Sequence, residues 1–158
     1  MRELALQGRW KPTVDALRCM KEVEVVTAMA LACEVDGFSR FGSASRFASW
    51  LGLVHSESSS GERRCRGGCH EGLQRPPQEA PGRGRLALRE RLARHEAAQE
   101  GPGGGPAVRR HAAKGSRRLA DRRKALDEAG KRAVVANCAV ARELACWCWA
   151  LGRMVEAA

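Results

Sequence analysis

A mostly α-helical fold is predicted for this 158-residue chain, on three observations. Apolar residues recur at spacings of three and four from Val14 through Leu17, Met20, Val23 and Val26 to Ala30. A second such stripe runs from Val134 through Cys138, Ala141, Leu144, Cys148 and Leu151 to Val155. Both have the period of an amphipathic helix. Between them, residues 68–105 hold eight of the 17 glycines and four of the six prolines. The large aliphatic residues there are Leu73, Leu86, Leu88 and Leu92 alone. So little apolar surface cannot offset about 1–2 kcal/mol of backbone entropy per ordered residue. The expectation is a small N-terminal helical unit (1–66), a disordered basic middle (67–106) and a C-terminal helical hairpin (107–158).

Within the first unit, the uncharged run Val25 to Cys33 reads as a buried helix. Asp36-Gly37 supplies its stop, with the glycine suited to a left-handed cap. Ser43 is placed to cap a second helix, since its hydroxyl can accept from a free N–H of the first turn. That helix carries Phe47, Trp50 and Leu51 and stops at Gly52. The middle is expected to contain at most a short helix over Leu86 to Gln99. The last unit is read as helical again from residue 107, with a charged helix from Arg117 to Ala129 that Gly130 ends. The stripe that follows needs a partner to cover it. Trp147 and Trp149 lie on different faces of that helix, so one of them is expected on a contact surface.

The net charge of +10 has an uneven distribution: residues 61–124 hold 17 Lys/Arg against 7 Asp/Glu, and the remainder is balanced. A basic block attracts phosphate backbones without sequence preference, or forms a solvated linker. Arg63, Arg64, Arg66, Lys114, Arg117, Arg118, Arg122 and Arg123 are its candidate nucleic-acid-binding residues. No run of 18 uncharged apolar residues exists, so no membrane span is expected. The charged N-terminus lacks an apolar core for a secretory signal, which makes the cytoplasm the expected compartment. Seven cysteines, an odd number, argue for free thiols rather than a disulfide framework.

Cys65, Cys69 and His70 suggest zinc, with His95, His111 or Cys146 and Cys148 as a second pair, but the spacing of a structural site is absent. No metal site is expected. His55 beside Ser56, Ser58, Ser59 and Ser60 is read as a serine-rich turn, since a nucleophile and its base normally come from distant positions. Glu22, Glu24, Glu34 and Asp36 are local to one region and do not form a two-metal constellation. Neither a P-loop nor a dinucleotide fingerprint is present.

Residues 37–63 read GFSRFGSASRFASWLGLVHSESSSGER. Arg40-Phe41, Leu51-Gly52-Leu53-Val54, Ser56-Glu57 and Ser59-Ser60-Gly61 closely resemble the C-terminal domain of insertion-sequence transposases of the IS-one-ten and IS-one-sixteen class. Leu17-Arg18-Cys19 and Val26-Thr27-Ala28 are similar to that domain's helix-hairpin-helix-like opening. Ala141-Arg142-Glu143-Leu144-Ala145 and Trp149-Ala150 are similar to its closing helix. The resemblance covers residues 14–66 and about 117–153. It implies a partner domain bearing four acidic metal ligands and hence magnesium, with no cofactor held by this chain. It implies DNA as substrate, a structured guide-type RNA and a homo-oligomer. Carried onto this sequence, the nucleophile is Ser60, with Ser59 second.

Departures from the pattern point to a C-terminal fragment inactive alone. The acidic domain has no counterpart, His55 replaces a proline, and Glu22 and Glu24 replace glycines. The family stretch that normally follows Ser-Ser-Gly is also missing. Back-translation of Gly68 to Arg85, read from the second nucleotide of the Gly68 codon, restores it. That frame requires Val or Ala, Met or Thr, then Lys or Arg across Cys69, His70 and Glu71, and two successive Lys/Arg across Gln78–Glu79–Ala80. One permitted solution is AVTKASNAHLRKLLVEAAWHYA, the kind of string that belongs there. Residues 68–105 are therefore read as translated out of frame; the rival is an authentic basic linker contacting RNA. The two ends are expected to pack together, with a core left incomplete and marginal stability. The competing functional class is a non-enzymatic basic nucleic-acid-binding protein.

Overall fold

Pro12 lacks an N–H where none is needed, and α1 (Lys11–Leu17) forms around it. The computed structural model describes residues 8–53, 57–60, 63–66 and 104–158. Residues 18–24 form a turn in which Met20 and Val23 are fully buried. The apolar period from Val14 to Ala30 therefore belongs to two helices and not one. Buried positions continue through the turn, so the pattern persists where the helix does not. α2 (Val25–Val35) ends at Asp36, which takes the left-handed conformation (φ 47°) and donates its N–H to Ala32. The left-handed cap is thus the aspartate rather than Gly37, one residue earlier than expected. Short Asp side chains tolerate this region. Gly37 has φ 143°, which favours glycine more strongly.

A single 3-10 turn (Phe38–Arg40) follows. Its first N–H groups, from Phe38 and Ser39, both donate to the carboxylate of Glu156 near the end of the chain, the second at 2.7 Å. An anion at a helical N-terminus satisfies donors that have no internal partner. α3 (Ala44–Trp50) is capped as its sequence predicts: the Arg46 N–H donates to Ser43 Oγ at 3.3 Å. Gly52 (φ 74°) ends it, with the Gly52 and Leu53 N–H groups donating back to Ser49 and Ala48 at 2.9 Å each. That paired arrangement is a Schellman motif. Beyond it, β1 (Glu57–Ser60) and β2 (Arg63–Arg66) pair antiparallel across a two-residue connection. The serine cluster is a strand rather than the turn expected.

The C-terminal hairpin is present over nearly the span expected, and its first helix is longer than the Arg117–Ala129 stretch. α4 (Pro106–Glu128) begins at a first-turn proline, eleven residues before Arg117. Its buried face is Ala112, Gly115, Ser116 and Leu119, of which the first three are small and give a weak hydrophobic signal. Gly130 (φ 64°) ends it as expected, through Gly130 N–H to Asp127 and Lys131 N–H to Leu126, both at 3.0 Å. This is a second Schellman motif. α5 (Ala133–Glu156) buries Ala136, Val140, Ala141, Leu144, Ala145, Cys148, Leu151 and Gly152. α1, the 3-10 turn, α3 and α4 all pack against it. The expected stripe holds at Ala141, Leu144, Cys148 and Leu151, whereas in the first turns Val134 and Val135 are exposed and Ala136 and Val140 are buried instead.

One core results, with Val14, Leu17, Met20, Leu31, Phe38 and Phe47 from the first half meeting Leu119, Leu144 and Leu151 from the second. Among the described residues, Val134 and Val135 are the large hydrophobic side chains left exposed. α5 has the length and apolar content to cross a membrane, with mean hydropathy 1.3. It also carries Arg142, Glu143 and Arg153 and is the helix on which the others converge. Residues 68–103, including the short helix expected over 86–99, lie outside the described residues.

Candidate nucleic-acid interface and serine hairpin

The candidate nucleophiles and three of the candidate cations share one hairpin. The pairing places Ser59 opposite Arg64 and Ser60 opposite Arg63, with Glu57 opposite Arg66 at the open end. Strand pairing had no clear signal in the sequence, since Ser and Arg are not strong strand formers. The two-residue spacing containing Gly61 was the available cue. His55 and Ser56 lie outside the described residues, as do Cys69, His70 and His95.

The remaining candidate cations lie on α4, which carries eight Lys/Arg against three Asp/Glu. Lys114, Arg117, Arg118, Asp121, Arg122 and Ala125 line an open groove of about 500 Å³. Its cations differ in their freedom. Glu143 of α5, 17% exposed, receives the Arg118 guanidinium on one oxygen and that of Arg122 on the other at 3.2 Å. Arg123 pairs with Asp127 at 2.8 Å and donates to the Asn137 side-chain oxygen. These three arginines tie α4 to α5 or to its own next turn. Lys114 and Arg117 are exposed and form no ion pair among the described residues. Glu143 was not singled out by charge reasoning because its partners lie some 20–25 residues away.

Polar residues of the first half take structural roles. Ser116 Oγ donates to Glu22 at 2.8 Å and accepts from the Lys21 N–H at 3.2 Å, fastening the turn after α1 to α4. Asp36 pairs with Arg9 at 3.0 Å. Glu24 sits at the N-cap of α2, and Glu34 is exposed. Among the described residues no three of His, Cys, Asp and Glu come together. Cys19, Cys33, Cys138, Cys146 and Cys148 are free thiols. Burial pushes the Cys148 thiol far up, aided by the Glu22 charge, so it stays protonated. Burial also raises the Cys146 thiol.

Both late tryptophans are half-buried and make contacts within the fold, where at least one was expected on a contact surface. The Trp149 indole donates to the Phe38 carbonyl at 3.2 Å. Trp147 lies over Gly115, where an added Cβ would approach the ring to 2.8 Å, and its centroid is 4.7 Å from that of His111. The Arg40 guanidinium sits 4.7 Å from the Phe41 ring and 5.2 Å from the Trp50 ring.

His111 has its Nε2 buried without a partner. Desolvation, with the nearby Lys114 charge, holds its pKa below the usual histidine value. A depressed imidazole makes the unfolded chain bind the proton first. Its contribution is therefore complete above about pH 6.5 and lost progressively as pH falls below that. The expected result is a thermal midpoint that falls from about pH 7 to 5 in the wild type and falls less in His111→Gln. Parallel pH profiles for the two proteins would exclude His111 as a source of the acid sensitivity.

Comparison with known proteins places the hairpin in context. Residues 14–75 match the profile described as Transposase IS116/IS110/IS902 family. The chain is 32% identical over 155 residues to "Putative transposase y4qE" of Sinorhizobium fredii (strain NBRC 101917 / NGR234), an alignment covering 89% of this chain. It spans 36% of that relative's length. No solved structure matches the chain.

Proposed function

This chain belongs to the transposase IS116/IS110/IS902 family through residues 14–75, and from that premise we propose that it is the C-terminal, serine-bearing part of a DNA transposase, inactive alone. The observation that carries the proposal is the hairpin register, in which Ser60 pairs with Arg63 and Ser59 with Arg64. A hydroxyl nucleophile opposite a cation suits attack on a phosphodiester, where the anion must be held and its charge offset. In this reading Ser60 Oγ bonds to phosphorus, one bridging P–O bond breaks, and the strand is held as a phosphoserine ester. The released strand end departs as an alkoxide that takes up the proton given by the serine. Ser59 is the second choice.

The described acidic side chains do not suit a magnesium site, since no three come together. No metal step is assigned to this chain. The four-carboxylate domain would come from the part of the protein that lies beyond the matched 36% of the relative. A guide-type RNA, a homo-oligomer and a cytoplasmic setting complete the proposal, as does an out-of-frame origin for residues 68–105.

The test supplies the chain with a separate four-carboxylate domain and magnesium and measures joining of DNA ends. Joining by the wild type and none by Ser60→Ala is the expected result. Equal joining by the two overturns Ser60, and loss in Ser59→Ala alone transfers the role to Ser59. The second reading, a non-enzymatic nucleic-acid binder, is favoured by the charge of α4. It is selected if no joining occurs while salt-sensitive binding persists in both variants.

A further inference from the structure

The cations of α4 fall into two sets that the sequence alone does not separate. Arg118, Arg122 and Arg123 are occupied by Glu143, Asp127 and Asn137. Arg110, Lys114 and Arg117 are exposed on the side of the helix away from Ala112, Ser116 and Leu119, with spacings of four and three. They make no ion pair among the described residues, and Asp121 closes the row one turn later. From Arg110 to Arg117 the helix rises about 10 Å. One strand of a duplex presents a phosphate about every 3.4 Å of axis, so three cations over this length meet about three successive phosphates.

We propose that Arg110, Lys114 and Arg117 form a ridge that binds the sugar-phosphate backbone of a double-stranded nucleic acid. Arg118, Arg122 and Arg123 act as positioning residues that hold α4 against α5. The proposal deepens the functional reading above and rests on it for the choice of ligand. A duplex is favoured over a single strand because the row contains no aromatic residue on which unpaired bases could stack. The helix is also fixed along its other face by Leu119, Ser116 and the Glu143 bracket, so the row is rigid before binding. The contact is to backbone and carries no sequence preference.

The experiment uses the full chain and fluorescence anisotropy. The probes are a 30-base-pair duplex DNA of arbitrary sequence, a duplex RNA of the same length, and a single strand of that DNA. Binding is measured between about 50 and 200 mM salt. Each of Arg110→Gln, Lys114→Gln and Arg117→Gln is expected to reduce the slope of log affinity against log salt by about 0.9. Arg118→Gln and Arg123→Gln are expected to lower the thermal midpoint and leave the slope unchanged. A ridge-dependent slope on either duplex sustains the proposal, and the tighter of the two identifies the backbone. The proposal is overturned by a triple variant with the wild-type slope, by tighter binding of the single strand, or by no binding in the wild type. Because the DNA-joining test reads Ser60, a failed ridge leaves the serine assignment standing, and a failed serine leaves the ridge standing.

Discussion

Gly152→Ala is expected to lower the thermal midpoint by on the order of 10 °C. Gly152 lies in the middle of the last turns of α5, where a Cβ would run into the ring of Phe38 at three of its carbons. Helix-interior glycine ordinarily gives stability when replaced by alanine, by roughly 0.5–1 kcal/mol. Here the sign reverses. Phe38 is 2% exposed and cannot retreat, because its N–H is held by Glu156, its carbonyl by the Trp149 indole, and its ring by Phe47. Overpacking of this kind costs about 1–3 kcal/mol. That is a large share of the roughly 5–15 kcal/mol that keeps a domain folded.

Circular dichroism melting of the wild type, Gly152→Ala and Gly105→Ala is the check. Gly105, with nothing within 4 Å of an added Cβ, serves as the tolerant control. Adding Phe38→Leu to Gly152→Ala should recover part of the loss, since residues in contact do not contribute independently. If Gly152→Ala melts with the wild type, then α5 and the 3-10 turn do not approach as closely as described.

That close approach also explains where sequence reasoning stopped. Ser43, Gly52 and Gly130 were legible because caps depend on local chemistry: a hydroxyl facing free N–H groups, or a residue without a Cβ in a left-handed position. Periodicity found the face of α5 from Ala141 to Leu151, but on α2 it named Val26 and Ala30, which are half-buried, where Thr27, Ala28, Leu31, Ala32 and Val35 face the core. It joined α1 to α2 because Met20 and Val23 stay buried through a turn that is not helical. It did not identify the buried face of α4 ahead of Arg117, because Ala112, Gly115 and Ser116 pack by being small rather than apolar. Gly115 and Gly152 are interior helix glycines, a signal of close approach that charge and hydrophobic patterns do not register.

The candidate interface divides in the same way. Its cations could be named from the charge distribution, and the serines from the motif. Which arginines are free depends on Glu143 and Asn137, whose proximity is a product of the fold. The hairpin that sets Ser60 across from Arg63 was hidden because neither residue type announces a strand.

Phe47→Ala should be the most damaging single truncation in the first half of the chain. Phe47 is fully buried, with ring centroids 5.6 Å from Phe38, 5.1 Å from Phe41 and 6.1 Å from Trp50. Removing a buried phenylalanine ring costs about 3–5 kcal/mol, from lost burial and the cavity left behind. The ring is also the hub through which α3 holds the 3-10 turn, so its loss releases Phe38 and Phe41 together. The expected result is a denaturant midpoint reduced by about half for a domain of ordinary stability. The tryptophan near-ultraviolet signal should weaken in the same variant, because Trp50 loses its stacked neighbour.

Phe47→Leu retains much of the volume and is expected to lose about half as much or less, which separates cavity formation from simple loss of an aromatic partner. Leu53, still buried at 5%, belongs to the same core as Phe47 and stands four residues before β1 in the chain. Phe47→Leu should therefore retain Ser60-dependent joining in the supplied-domain assay, whereas Phe47→Ala should lose it along with the fold. Joining that survives in Phe47→Ala would mean that the hairpin carries its own order and needs no support from α3.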